Sequence, residues 1–339
     1  MSTPQGLPKQ EWIRFRSPSE CRNYVAPEGL VLVGDSHIVR GNITVVAGPP
    51  GVGKSRTTSA LAVAGATGKP WFGLEVHAKF KTLILQNENG RYRLAKEFSE
   101  ISDDGLDEFI RISEPPPYGM AFDKPEFRAD LERVFKEFRP AVVVLDPWNS
   151  VARDDKQRDY VETFESINST LLKGDDAPAL VIVAHTKKPQ GDVLKTGRSL
   201  LNEVAGSHVL ASVPRCVFVM QPVSDDTDDD RVIWTCAKNN DGEMGKPSVW
   251  HRRNGLFVPG NNSEIESIMG AKAKRTVEEA DLEAIFEQGK RTLLRKEAVA
   301  ELMKRTGCSQ TLCYNSLMSK GKFAAHLRED ADGFLSWVM

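Results

Sequence analysis

The sequence predicts a doubly wound α/β protein: a mainly parallel sheet with a terminal β-hairpin, followed by a small C-terminal winged-helix-like domain. Three observations lead there. From Gly41 onward, short runs rich in Val, Ile and Leu alternate with helical patterns. Each run is apolar at successive positions, as parallel strands covered on both faces must be. After residue 260 a polar stretch gives way to helix, turn, helix and two strand-like runs, a different texture and so a separate unit.

Residues 1–40 mix Pro4, Pro8, Pro18 and Pro27 with charges and show no sustained period; they read as an arm or lead-in lying across a later domain. Buried strands are predicted at Ile43–Ala47, Thr82–Gln86, Phe109–Ile112, Ala141–Leu145 and Leu180–Ala184. Helices are predicted at Lys54–Ala66, Tyr92–Ile101, Pro125–Phe138 and Tyr160–Leu172. Past Gly206 the runs Arg215–Val223 and Arg231–Ala237 flank the acidic tip Asp225, Asp226, Asp228, Asp229 and Asp230. That reads as a hairpin with a solvated, self-repelling loop, since no Gly-based calcium-loop spacing accompanies it. Short strands follow at Ser248–Arg252 and Leu256–Val258, closing a domain over 41–260. Residues 261–275 read as a linker and 276–339 as the C-terminal domain. In the latter, Thr276-Val-Glu-Glu279 has capping-box spacing, and Ser309 is placed to cap a second helix over Gln310–Lys320. Leu312, Leu317 and Met318 are expected to face its core, with Phe323, Leu327, Phe334, Leu335 and Trp337 pinning the wing.

Composition narrows the function classes. The chain has 339 residues, 40% hydrophobic and 27% charged, with a net charge of −2, which excludes a uniformly basic nucleic-acid coat but not a local basic groove. No apolar run approaches the roughly 20 residues that span a bilayer, so no membrane role is expected. Five scattered cysteines form neither a disulfide framework nor a zinc pattern, and a reducing, cytoplasmic setting is the expectation.

The chemistry is concentrated at strand ends. Gly48-Pro49-Pro50-Gly51-Val52-Gly53-Lys54-Ser55, with Arg56 following, is a complete G-x-x-x-x-G-K-S between a strand and a helix. Glycines let backbone N–H groups turn inward around phosphates, and the helix N-terminus adds partial positive charge. Lys54 supplies a cation for the β- and γ-phosphates, and Ser55 a hydroxyl for Mg²⁺. The motif predicts binding of a nucleoside triphosphate, ATP with Mg²⁺. Asp146 ends the strand Ala141–Leu145, where a carboxylate beside a P-loop can hold the hydration shell of Mg²⁺. Glu88, just past Thr82–Gln86, can polarise a water in line with the γ-phosphate. His185, after Leu180–Ala184, is either a γ-phosphate contact or a structural histidine.

With these four strand-end motifs in this order, the chain resembles the RecA-like ATPases over about Gly41 to Val258. It is similar to the branch of RepA-type hexameric replicative helicases and related phage and plasmid ATPases. The resemblance rests on GPPGVGKS at 48–55, Glu88, VVVLDP at 142–147, VAHTKK at 183–188, and Gly206-Ser207 followed by Arg215. It implies a homo-oligomer, most simply a hexameric ring, with each site completed by a neighbour's basic residue. Lys238, or Arg215 as the alternative, stands where that residue is expected. The sequence departs from the pattern at Asn240 and Ala205, where relatives often carry Arg. The resemblance also implies that loops 147–158 and 187–198 line a central channel. The second carries Lys187, Lys188, Lys195 and Arg198 against Asp192, a net +3 suited to the phosphates of single-stranded DNA. Two functions follow as expectations: a DNA helicase or translocase of replication or recombination, or an ATP-gated loader, mediator or regulator with slow hydrolysis. Downstream of residue 270, twelve basic and ten acidic residues give a net of +2, too slight for a strong duplex reader. The C-terminal domain is therefore expected to dock a replication or recombination protein, or to bridge rings.

Overall fold

The structure is a computed structural model that describes residues 15–101, 105–151, 157–171, 177–187, 194–206, 208–224, 226, 228–261, 263, 265, 277–308, 310–318 and 321–338. In chain order the first unit comprises α1 (Pro18–Arg22), β1 (Val31–Val33), β2 (Ile38–Val39), β3 (Ile43–Gly48), α2 (Lys54–Thr67), β4 (Thr82–Gln86) and α3 (Arg91–Phe98). There follow α4 (Leu106–Phe109), β5 (Ile110–Ile112), α5 (Pro125–Phe138), β6 (Val142–Asp146), α6 (Gln157–Leu171) and β7 (Ala179–His185). It closes with α7 (Val209–Ser212), β8 (Cys216–Pro222), β9 (Arg231–Asn239), β10 (Ser248–His251) and β11 (Val258–Pro259).

Among the described residues these strands form one nine-stranded sheet in the order β11-β10-β9-β8-β3-β7-β6-β4-β5, apart from the small β1–β2 pair. From β5 to β8 the pairing is parallel, and from β8 to β11 it is antiparallel. The fold is mixed α/β around a large, mostly parallel central sheet, matching the RecA-like fold. Strand β7 lies between the strand that precedes the glycine loop, β3, and the strand that ends in Asp146, β6. All parallel strands therefore deliver their last residues to one edge, where open α/β sheets bind ligands.

The sheet is sandwiched between two apolar layers because its strands alternate Val, Ile and Leu to both sides. One layer gathers Val45, Leu83, Val143, Leu145, Leu180 and Ile182 against Trp148, Phe164 and Ile167. The other gathers Val46, Val144, Val181 and Phe218 against Leu61 and Trp71. In that second layer Trp71 meets Phe218 and Trp234 edge-on at centroid separations of 5.4 and 5.1 Å, contacts worth about 0.5–1.5 kcal/mol each. The Trp71 indole also donates to the Thr57 carbonyl at 3.1 Å, so this cluster anchors α2, the helix that follows the glycine loop.

Several sequence expectations shift at their edges. The lead-in divides: Phe15 to Glu28 is exposed throughout, whereas Leu32, Val33 and Ile38 are buried with the second apolar layer. The expected strand at Phe109 begins at Ile110, because Phe109 finishes α4 and packs with Val63, Ala66 and Leu106. The expected loop 147–158 falls partly on 152–156, outside the described residues, as do Lys188, Ser207, Asp225 and most of the 261–275 linker.

The second unit contains α8 (Glu279–Ile285), β12 (Thr292–Leu294), α9 (Arg295–Thr306), α10 (Gln310–Ser316), β13 (Leu327–Glu329) and β14 (Phe334–Trp337). Its sheet order is β12-β14-β13, and its core is its own, running from Val277 and Leu282 through Val299, Leu302, Cys313 and Leu317 to Trp337. The helix α8 is capped by Glu278, which accepts from the N3 backbone while Asp281 accepts from the Glu278 N–H at 3.1 Å. Thr276, the expected start of a capping box, lies outside the described residues. Leu312 is exposed and Cys313 takes the core position beside Ser316 and Leu317, the i, i+3, i+4 face. Phe334 likewise faces outward, since Leu335 and Trp337 alternate inward along β14. With this self-contained core, an isolated 271–339 fragment is expected to melt cooperatively by circular dichroism. A non-cooperative trace would mean that its stability comes from the rest of the chain.

Candidate functional site

The site is built on the carboxyl edge of the parallel strands. The chain leaves β3 at Gly48 and turns through Gly51 and Gly53, whose φ values of 76° and 104° are left-handed and favour glycine. A Cβ on Gly53 would also stand 3.3 Å from both Arg252 and Phe257, so the loop is closely backed. Val52 is buried and tethers the loop to the second apolar layer. The helix α2 starts at Lys54, and its N-terminus points at the same space.

The cleft has a volume of about 640 Å³ and is lined by Pro50, Gly51, Gly53, Lys54, Ser55 and Arg56 from the loop, with Glu88, Asp146 and His185 from three strand ends. Four candidates chosen from separate parts of the sequence, Lys54, Glu88, Asp146 and His185, therefore meet in one place. Lys54 is buried and its ammonium donates to the Pro49 carbonyl at 2.8 Å. Burial pulls its pKa down to about 8, with Asp146 and then Glu88 opposing the shift. Asp146, also buried, is pushed up by desolvation, against which its hydrogen bond with Ser55 acts first. Ser55 and Asp146 are thus already adjacent, the donor pair a Mg²⁺ ion with its water shell requires.

The glutamate is placed by a framework that the sequence did not reveal. The buried Gln86 at the end of β4 donates through its side-chain nitrogen to the Ser113 carbonyl at 2.7 Å and accepts from the Asn89 N–H at 2.6 Å. The Asn87 N–H donates to the Asp146 carbonyl at 3.1 Å. Residues 86–89 are therefore fixed on both sides, and Glu88 projects into the cleft with its side chain exposed to water. His185 lies in register with Gly48 on neighbouring strands; burial, and next Lys54, lower its pKa, so it stands as neutral imidazole at pH 7. Its Nδ1 is buried without a hydrogen-bond partner.

Other predicted residues are placed elsewhere. Arg215 immediately precedes β8 and Lys238 lies near the end of the antiparallel β9, so both sit at the sheet edge opposite the cleft. Arg215 pairs with Asp241, with Nε at 2.9 Å from Oδ2, and Lys238 donates to the carbonyls of Ala211 and Ser212 at 3.0 and 2.8 Å. In the basic loop, Lys187 donates to the Asn202 carbonyl at 2.7 Å, Lys195 pairs with Glu203, and Arg198 is exposed. The acidic tip is solvated as expected at Asp226 and Asp228 but not at its end. Asp229 is held by Arg231 and Ser224, and Asp230 accepts from His251 at 2.8 Å and Arg253 at 2.7 Å, so both carboxyls are held below their ordinary range.

That folded tip brings Asp228, Asp230 and Arg252 to the cleft, together with Asn89 and Arg93 from the Glu88 side. Arg252 donates to the Gly51 carbonyl at 2.8 Å and to the Asp229 carbonyl at 2.7 Å, joining the hairpin to the glycine loop. Sequence separation of about 200 residues hid it. Arg93 could have been noticed from its position on the helix directly after Glu88.

A family model described as AAA domain matches residues 2–191. Among solved structures the chain is similar to the KaiC-like protein PH0186 from the hyperthermophilic archaeon Pyrococcus horikoshii OT3, at 15% identity and a TM-score of 0.47. The match covers 67% of this chain and 94% of that one. No curated protein matches the chain. Among the described residues, no helix is long and apolar enough to cross a membrane. The family match spans more than half of the sequence and ends beyond the strand that carries His185, so the chain belongs to the AAA domain family, as a RecA-like P-loop ATPase.

Proposed function

We propose that the protein is a ring-forming, ATP-dependent motor acting on single-stranded DNA. The observation that carries this reading is the shared edge: the loop after β7, with Lys187, Lys195 and Arg198, leaves the sheet beside the ATP cleft. His185 is the last residue of β7 and lines the cleft, so a change at the γ-phosphate reaches the basic loop through two residues of chain.

In the proposed chemistry the glycine loop and Lys54 hold the triphosphate, and Ser55 with Asp146 hold Mg²⁺, which when bound would neutralise charge on the β- and γ-phosphates. Glu88 orients the attacking water and takes its proton. The basic residue contributed by a neighbouring subunit would be Lys238 or Arg215, whose place on the far edge of the sheet suits a partner's site and not their own. The winged-helix-like C-terminal unit would dock a replication or recombination protein or join rings.

One observation favours the slower, assembly-factor reading. Lys238 and Arg215 are each engaged within their own chain, and Ala205 and Asn240 replace arginines expected of the helicase branch. A forked-substrate unwinding assay separates the two: strand displacement supports the motor, and ATP-dependent binding without displacement supports the assembly factor.

Neutralising Lys187, Lys188, Lys195 and Arg198 together is expected to weaken single-strand binding evenly across sequences. Each lost phosphate contact should flatten the log–log salt dependence by about 0.7. Because Glu203 already neutralises Lys195, that lysine should contribute least to the slope. An unchanged slope would place the DNA path elsewhere.

A further inference from the structure

We propose that Arg93 acts on the γ-phosphate from within its own subunit, held at the mouth of the cleft by the buried carboxylate of Glu97. This rests on the reading of the cleft as an ATP hydrolysis site. Arg93 and Glu97 are one turn apart on α3, the helix that begins three residues after Glu88, and Nη2 stands 3.2 Å from Oε2. The two ends of the pair are unequally placed: the Glu97 side chain is 3% exposed and the Arg93 side chain 44%. A carboxyl side chain is that deeply buried only where it holds a partner. Among the described residues Arg93 is the cation it holds.

Arg93 lines the cleft together with Lys54, Glu88, Asp146 and His185, so its guanidinium stands where charge builds up during hydrolysis. It is also one of the groups that oppose the upward push of burial on Asp146. The Glu97 Oε1 atom is buried without a partner, next to a small chamber lined by Ser55, Asn89, Arg93 and Asp146. One carboxylate oxygen thus fixes one guanidinium nitrogen, and the remaining N–H donors of Arg93 are left to point toward the phosphates. Of the other cations that line the cleft, Lys54 and Arg56 stand on the glycine-loop side and Arg252 is committed to backbone carbonyls, while Lys238 and Arg215 lie on the far sheet edge.

In the step proposed, the water oxygen bonds to the γ-phosphorus as the bond from that phosphorus to the bridging β,γ-oxygen breaks. ADP leaves with the bridging oxygen's electron pair, and the water's proton passes to Glu88. Arg93 donates to the γ-phosphoryl oxygens, whose charge shifts toward the leaving group. Glu97 is a positioning residue: its carboxylate pairs with Arg93 and does not line the phosphate cleft.

The test measures ATP affinity and single-strand-stimulated turnover for Arg93→Ala, Arg93→Lys, Glu97→Gln and the double variant Arg93→Ala/Glu97→Gln. Arg93→Ala is expected to lower kcat by about 10²–10³-fold with KM within a few-fold of wild type, and Arg93→Lys to recover part of the loss. Glu97→Gln should lower kcat by about tenfold at unchanged KM, with turnover counted per ATP-binding site titrated in the same preparation so that a loss of folded protein does not register as a loss of kcat. The double variant leaves no unpaired buried charge, so it should fold and show the full Arg93→Ala loss. Assemblies mixing Arg93→Ala with Lys54→Ala subunits fix the direction of action. A residue acting within its own subunit leaves the mixture inactive, whereas restored turnover would show action on a neighbour and overturn the proposal. Wild-type kcat in both Arg93→Ala and the double variant would overturn it while leaving the ATPase reading intact. A wild-type protein that never hydrolyses ATP would overturn that reading first, and the proposal with it.

Discussion

Glu88→Gln is expected to bind ATP as tightly as the wild-type protein while hydrolysing it about 10²–10⁴-fold more slowly. The substitution keeps the size and hydrogen-bonding reach of the side chain and removes only its capacity to take a proton. The other titratable groups are placed differently: Asp228 and Asp230 line the cleft from the hairpin, across from Glu88, and Asp230 is held by His251 and Arg253. Asp146 is buried and its Ser55 bond ties it to the proposed metal side, while His185 sits on the β7 side, between the phosphate loop and the basic segment. Because Gln86 and Asn87 fix the loop by hydrogen bonds to Ser113 and Asp146 that do not involve the Glu88 carboxylate, the loop should keep its geometry. A nucleotide-binding titration alongside single-turnover hydrolysis checks both halves. Normal turnover in the variant would remove Glu88 from the chemistry.

The parts of this site that were legible in the sequence share a property: their information is local. Gly48–Ser55 is contiguous, and Asp146, Glu88 and His185 each close an apolar run whose membership in a parallel sheet fixes which edge its last residue reaches. Sheet order then makes them neighbours. Arg252 was hidden because its place depends on the register of β9 against β10, where Arg231 pairs with His251 and carries the next residue back over the glycine loop. The same register explains the acidic tip. Read alone, Asp225 to Asp230 repel one another; folded, Asp230 lies between His251 and Arg253 and Asp229 against Arg231.

In other places the signal was too short. Strands β1 and β2 comprise three and two residues around a turn, so no period develops, although Leu32, Val33 and Ile38 are buried with the sheet's second apolar layer. In the C-terminal unit Leu317, Leu335 and Trp337 face inward as expected, and the misses are single positions. Cys313, a small apolar residue when unpaired, takes the inward place expected of Leu312, and Phe334 turns outward because its neighbour Leu335 takes the inward face of its strand.

Lys54→Ala is expected to abolish measurable turnover and to lower ATP affinity by about 10²–10³-fold, since it removes the one lysine ammonium lining the phosphate cleft among the described residues. The wild-type protein should in addition show a pH signature that a surface lysine could not produce. Burial holds the Lys54 ammonium near a pKa of about 8, well below an ordinary lysine. Triphosphate favours the charged form, so binding raises that pKa and draws a proton onto the lysine. The sign follows directly: below pH 8 the ammonium is already present and affinity is level, and above pH 8 affinity falls, approaching tenfold per unit while the bound state remains protonated. Calorimetry at pH 8.5 in buffers of different ionisation enthalpy should report net proton uptake by the wild-type protein. Arg93 and Arg252 keep their charge throughout this range, and an Asp146→Asn variant that retains the slope assigns it to Lys54 and not to the raised Asp146 carboxyl. An affinity that stays flat from pH 7 to 9.5 would mean that the lysine is an ordinary, solvated one and that the glycine loop, not its cation, carries the binding.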